Sequence, residues 1–181
     1  ATTLMGIGAI PSDHRLNVGM LGSHGVYTAN YAVHHSDLLI VLGARVGDRA
    51  MARVSKIAEK AKIVHIDIDP AEIGKNIGVS IPVVGDAKTI LKQLLAIVEK
   101  GDVEKWVETI TRIKRERARI FDGIMEQNYV KPQYVISLLS DMLAQDDMVT
   151  TEVGQNQIWT ANYLKVKKAR TFISSGGMGT M

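Results

Sequence analysis

Along this chain, apolar runs of strand length alternate with stretches whose apolar residues recur at helical spacing. Leu38-Leu39-Ile40-Val41-Leu42 is an unbroken apolar run, the pattern of a strand buried on both faces of a parallel sheet. Lys62-Ile63-Val64-His65-Ile66 repeats it. Ile81-Pro82-Val83-Val84 gives a third, shorter strand, whose Pro82 suits an edge or a strand start. Around these runs the periodicity changes. Residues 25–35 and 50–61 read as short helices, and Ile90, Leu91, Leu94, Leu95 and Val98 mark one face of an amphipathic helix. Such alternation predicts βαβ units, hence an α/β fold with a parallel sheet flanked by helices.

From about residue 101 the pattern lengthens. Asp102 suits a helix N-cap, and Val103, Trp106, Val107, Ile110, Ile113, Phe121 and Ile124 keep helical spacing toward Met125. Pro132 can open a further helix over 133–143. A strand over 148–151, a helix near 155–164 and a strand at 171–173 follow. These features predict one domain over residues 1–125. Residues 126–181 then hold a connector and the first part of a second, truncated α/β domain. The chain opens without Met and closes on Ser174-Ser175-Gly176-Gly177-Met178-Gly179-Thr180-Met181. A glycine-rich turn of that kind normally leads into a helix or toward a phosphate, so the chain reads as a piece of a larger enzyme.

Composition narrows the class. Of 181 residues 46% are hydrophobic and 23% charged, enough apolar material for a core in an ordinary soluble protein. No run approaches the roughly 18 apolar residues of a membrane span, and no signal sequence leads the chain, so no membrane partner is expected. The absence of cysteine excludes disulfides, thiolate catalysis and Cys-based metal sites, and accords with a cytoplasmic location. A net charge of +3 is too small to call for nucleic acid. The densest basic cluster, Arg112, Lys114, Arg115, Arg117 and Arg119, is interleaved with Glu108 and Glu116. It reads as a solvated helix face in preference to a phosphate-binding patch.

In open α/β sheets, ligands bind beyond the carboxyl ends of the strands. The first strand runs into Gly43-Ala44-Arg45-Val46-Gly47-Asp48-Arg49, where glycine permits close approach and arginine can grip a phosphate. The second ends in Asp67-Ile68-Asp69-Pro70-Ala71-Glu72, with acids placed to bond ribose hydroxyls. The third ends in Gly85-Asp86-Ala87. Together they favour a nucleotide-like ligand along that edge. The competing reading is that Asp69 and Asp86 only cap the helices that follow. The phosphate loop is not of the standard dinucleotide type, because Pro11 stands where the third glycine of Gly6-Ile7-Gly8 would fall. Gly19-Met20-Leu21-Gly22-Ser23-His24-Gly25 precedes a helix and can present N–H groups; His24 is either a ligand contact or a loop histidine. His34, His35 and His65 read as surface or packing residues, with no partner at metal-ligand spacing. Thr151-Glu152-Val153-Gly154-Gln155-Asn156-Gln157 lies between a strand and a helix, so Gly154, Gln155 and Asn156 can meet a phosphate. Met178 and Met181 read as core plugs unless an aromatic ring lies against them.

In order and combination these motifs resemble the acetolactate synthase (acetohydroxyacid synthase) large-subunit family of thiamine-diphosphate enzymes. The resemblance runs through Thr3-Leu4-Met5-Gly6, Gly8-Ala9-Ile10-Pro11, Gly22-Ser23-His24-Gly25, Tyr31-Ala32-Val33, Gly43-Ala44-Arg45 and Asp48-Arg49. It continues through His65-Ile66-Asp67-Ile68-Asp69, Ala71-Glu72-Ile73-Gly74-Lys75-Asn76, Val153-Gly154-Gln155 and Ser175-Gly176-Gly177. It implies a Rossmann-like central domain that binds FAD in a non-redox role, followed by the opening of a diphosphate-binding domain. Implied FAD contacts are Thr3, Leu4, Met5, Gly22, Ser23, His24, Gly43, Ala44, Arg45, Asp67, Ile68, Gly85, Asp86 and Ala87. Implied thiamine-diphosphate contacts are Val153, Gly154, Gln155 and Asn156, with Gly179 by the aminopyrimidine and Met181 holding the cofactor bent. The family's activating glutamate and its Mg²⁺ motif lie outside this sequence, so the chain alone is expected to be inactive. Implied partners are 2-keto acids, a homodimer or higher oligomer, and a small regulatory subunit. The sequence departs from the family's common residues at Ser23, Val46-Gly47 and Asn156. A FAD-independent carboligase, a nicotinamide-dependent dehydrogenase and a non-catalytic nucleotide-binding module are the competing classes.

Overall fold

The three strands expected in the first half do pair side by side. A computed structural model describes residues 1–47, 61–125 and 130–176, with the backbone alone over 119–125. The helix expected over 50–61 falls outside the described residues, apart from its last. The chain divides into two units, Tyr31–Glu104 and Ala1–Asn30 together with Lys105–Met181.

In the Tyr31–Glu104 unit, β1 (Leu38–Leu42), β2 (Lys62–Asp67) and β3 (Ile81–Val84) form a parallel sheet in the order β1-β2-β3. The middle strand carries the core, with Ile63, His65 and Ile66 buried. β1 departs from the expectation of burial on both faces. Val41 is buried on one face, whereas Leu38, Ile40 and Leu42, which alternate with it, are exposed. β1 is an outer strand of the sheet, and what packs against that face among the described residues leaves these three side chains 39–53% exposed. Helix α2 (Ala87–Leu95) opens at Asp86 and stops at Leu95, before Val98. Ile90 and Leu94 are half-buried, while Leu91, Leu95 and Val98 are exposed.

In the other unit, Thr2 bridges Met20 in parallel, with Thr2 N–H donating to Gly19 O at 3.0 Å and Leu21 N–H to Thr2 O at 2.9 Å. α1 (Tyr27–His34) begins here and buries Thr28 and Ala29. α3 (Glu104–Met125) starts where the Asp102 carboxylate accepts the Glu104 N–H at 3.2 Å, and it buries Ile110 and Ile113. Three of its basic residues make separate contacts. Arg112 pairs with Glu116 at 3.0 Å, the Arg117 guanidinium lies 3.8 Å above the Tyr27 ring, and Lys114 donates to the Asn17 carbonyl. Burial pushes the Lys114 ammonium below its usual pKa. α4 (Pro132–Met142), with Pro132 in its first turn, packs against α5 (Gln155–Tyr163). β4 (Val149–Thr151) and β5 (Phe172–Ser174) pair in parallel across α5, a single βαβ unit. Ser12 N–H donates to Val166 O at 2.9 Å and Val166 N–H to the Ser12 hydroxyl at 3.0 Å, which fastens the N-terminal segment to the loop after α5. Among the described residues no helix is long and apolar enough to cross a membrane.

Candidate functional site

Parallel pairing of adjacent strands necessarily puts their carboxyl ends on one edge. The ladder continues one residue past each strand: Gly43 N–H donates to Ile66 O at 2.8 Å, and Gly85 N–H to Asp67 O at 2.9 Å. Gly43, Ala44, Arg45, Asp67, Ile68, Gly85, Asp86 and Ala87 therefore follow one another along a shared rim. Arg45 is exposed on it, and Ile68 is 72% exposed. Among the described residues no atom lies within 4 Å of where a Cβ on Gly43 would stand, which leaves the backbone open on that side. The Asp67 carboxylate accepts the Asp69 N–H at 2.9 Å, and the Asp69 carboxylate accepts the Ala71 N–H at 2.9 Å. Turns, not a helix, follow Asp69, so its carboxylate shapes a loop. For Asp86 the capping reading is realised. Its carboxylate accepts the Thr89 hydroxyl at 2.8 Å and the Thr89 N–H at 2.9 Å, and those bonds hold its pKa below the usual carboxylate range.

The residue that sequence reasoning undervalued is His65. It is fully buried on β2, where a polar ring has to find partners. Its Nε2 lies 3.0 Å from the Ala44 carbonyl, and Gly74 N–H donates to its Nδ1 at 3.3 Å. Asn76 adds a parallel tie, its side-chain amide donating to the Arg45 carbonyl at 3.1 Å. Between these ties and the end of the rim stands Val46, with φ of 49° and only 3% exposure. A β-branched residue in that region costs about 1–2 kcal/mol, so its surroundings must hold it there. The available clue in the sequence was a histidine inside an otherwise apolar strand. Its partners, in loops distant along the chain, left no periodic signal.

The remaining candidate residues belong to the other unit. Thr3 precedes a single turn of 3₁₀-helix, Leu4–Gly6, on which Met5 is 68% exposed. Gly22 is buried and clamped at both ends of its polar backbone by one side chain. Its N–H donates to Asn30 Oδ1 at 2.9 Å, and Asn30 Nδ2 donates to its carbonyl at 3.0 Å. Ser23 and His24 follow exposed, and the His24 carbonyl accepts from Asn162 Nδ2 at 2.8 Å. Val153 leads into Gly154, the N-cap of α5, whose φ of 150° and ψ of −170° lie in a region open essentially to glycine alone. Gly154, Gln155 and Asn156 are exposed. Gln157 is buried and ties this helix start to the end of β5, donating to the Ser174 hydroxyl at 2.7 Å and the Ser175 carbonyl at 2.8 Å. A Cβ added to Gly176 would collide with the Met5 sulfur, so that glycine meets the N-terminal turn. Gly179 and Met181 lie outside the described residues. No group of three or more His, Cys, Asp or Glu side chains is placed to hold a metal among the described residues.

A parallel α/β sheet with glycine, arginine and acid gathered at its strand ends is the architecture of a cofactor-binding domain. Residues 1–94 match the family described as thiamine pyrophosphate enzyme, central domain, and the chain belongs to that family. It is 46% identical to the probable acetolactate synthase large subunit of Methanocaldococcus jannaschii over 189 residues, 99% of this chain and 32% of that protein. Identity is 43% to the acetolactate synthase large subunit of Corynebacterium glutamicum, over 99% of this chain and 29% of that protein. For the Lactococcus lactis large subunit the figures are 40%, 99% and 31%. The chain thus spans about a third of the length of these relatives.

Proposed function

We propose that this chain is the part of an acetolactate synthase large subunit that holds FAD and begins the thiamine-diphosphate site. The whole enzyme decarboxylates pyruvate and condenses the two-carbon unit with a second 2-keto acid in branched-chain amino-acid biosynthesis. The observation that carries the reading is similarity along 99% of the chain to proteins named as that subunit. The rim described above supports the flavin part. Arg45 is exposed and can meet a phosphate, Gly43 leaves room for close approach among the described residues, and Asp67 can offer a carboxylate to ribose hydroxyls. The resemblance implies further flavin contacts at Thr3, Leu4, Met5, Gly22, Ser23 and His24. The diphosphate would be held by Val153, Gly154, Gln155 and Asn156, where exposed backbone at the start of α5 offers N–H donors. Thiamine diphosphate, when bound, supplies the carbanion chemistry of the reaction. The residues of this chain would bind and orient; the activating glutamate and the Mg²⁺ motif that the resemblance implies lie outside this sequence, so the chain alone should be inactive.

The domain division belongs to the same reading, with residues 1–125 as the central domain and 126–181 opening the diphosphate domain. So do a homodimeric or larger assembly, a small regulatory subunit, Mg²⁺ bound outside this chain, and a cytoplasmic location. The test uses the full-length protein. It should show a flavin absorbance spectrum as purified and form acetolactate from pyruvate with Mg²⁺ and thiamine diphosphate, whereas the 181-residue chain should form none. A full-length protein that binds flavin but makes no acetolactate would refute the enzymatic assignment. One that makes acetolactate without flavin would refute the FAD assignment.

A further inference from the structure

The rim is only useful to a ligand if its loops keep their spacing, and one buried side chain joins two of them. We infer that His65 is the positioning residue of this rim, acting as a neutral imidazole protonated at Nε2. It fixes the Gly43–Val46 segment against the loop that follows β2. The tautomer follows from the partners. Gly74 presents an N–H to Nδ1, which must therefore offer a lone pair, while Nε2 faces the Ala44 carbonyl and must carry the proton. A ring with both nitrogens protonated would oppose two donors at Gly74.

The geometry explains why an imidazole stands in an apolar strand. His65 lies opposite Val41 of β1 and Pro82 of β3, so it occupies the middle strand of the sheet two residues before the rim begins at Asp67. From there its Nε2 crosses beneath the end of β1 to the carbonyl between Gly43 and Arg45. Its Nδ1 reaches the loop bearing Glu72 and Asn76. Asn76 then returns to the Arg45 carbonyl, so consecutive carbonyls, those of Ala44 and Arg45, are each held by a side chain of the β2 strand or its loop. Val46 follows directly in its costly backbone conformation, buried, which is the behaviour of a segment whose shape is imposed by its neighbours. Arg45 owes its placement on the rim to that imposed shape.

This inference rests on reading the rim as the flavin site, and the experiment separates the two. In the full-length protein, FAD affinity is measured by fluorescence quenching for wild type, His65→Gln and His65→Asn, beside the thermal unfolding midpoint of each. Glutamine keeps a donor at the place of Nε2; asparagine keeps only the acceptor toward Gly74. Loss of the Ala44 bond should weaken FAD binding about tenfold in H65N, with H65Q within about threefold of wild type at a comparable unfolding midpoint. Wild type without measurable FAD affinity would overturn the flavin reading itself. FAD affinity unchanged in H65N, or H65Q and H65N falling together in step with their stability, would overturn the positioning role. Should H65N prove too unstable to purify, nitrogen-15 spectra of histidine-labelled wild type decide. A protonated Nε2 with bare Nδ1 upholds the clamp, and the opposite tautomer overturns it.

Discussion

Replacing Gly25 by alanine should cost about 3–5 kcal/mol of stability, because the nearest obstacles are all backbone atoms. A Cβ at this position would stand 2.8 Å from Leu21 Cα, and nearer still to the Leu21 carbonyl carbon and the Met20 carbonyl oxygen. Ordinary contact begins at 3.4 Å, and none of these atoms can rotate away. The turn is also pinned from several directions. Val26 N–H donates to Met20 O at 2.8 Å, Gly25 N–H to Gly22 O at 3.0 Å, and Leu21 N–H to Thr2 O at 2.9 Å. Relieving the clash means drawing position 25 away from Met20, which breaks the Val26–Met20 bond first. Losing that bond costs about 1 kcal/mol, and leaving the Met20 carbonyl unpartnered adds about 1–3 kcal/mol. Overpacking strain of about 1 kcal/mol remains even after relaxation. The assay is urea unfolding followed by circular dichroism, with Gly78→Ala as control. Among the described residues no atom lies within 4 Å of a Cβ on Gly78, so that control should stay within about 0.5 kcal/mol of wild type. A Gly25→Ala variant within about 1 kcal/mol of wild type would show that the turn opens freely and would refute this reasoning.

Gln157→Leu keeps the side-chain volume but removes both bonds to Ser174 and Ser175; about 2 kcal/mol should be lost, and calorimetry should show the unfolding midpoint lowered by about 4–8 °C. An unchanged midpoint would mean that the tie between α5 and the end of β5 carries no net stability. Asp86 governs part of the acid limb. Its carboxyl is depressed in the fold, so its contribution is complete above the unfolded value and is lost as pH falls below about 4. Asp86→Asn, which can still cap but not ionise, should flatten the fall in urea midpoint between neutral and strongly acid pH. Equal acid slopes in the two proteins would contradict the capping assignment.

The strands were legible because a parallel sheet demands continuous apolar runs, and Leu38–Leu42 and Ile63–Ile66 supply them. Once those strands are parallel, the alignment of Gly43, Asp67 and Gly85 follows from geometry alone, so the rim could be read before any coordinates. β1 misled because an apolar run tells what a strand can bury, not what is there to cover it; Ile40 is 53% exposed. The side-chain clamps were beyond reach for a different reason. Asn30 on Gly22, Gln157 on Ser174 and His65 on Ala44 join residues 8, 17 and 21 positions apart, through bonds that no periodicity records. Val46 was the hardest of all, since a β-branched side chain argues against a positive φ at the very position that adopts one.

That same valine sets a limit on how the protein could be improved. A common route to thermostable variants exchanges residues with unfavourable dihedral angles for glycine. Here the exchange would relieve about 1–2 kcal/mol of torsional cost. It would also strip a side chain that is 3% exposed, forfeiting about 1.5–3 kcal/mol of apolar burial, and would loosen the denatured chain by a further 0.5–1 kcal/mol or so. The opposing changes leave no gain, so glycine at residue 46 would not stabilise the protein, and relieving its torsional cost would call for repacking its neighbours as well.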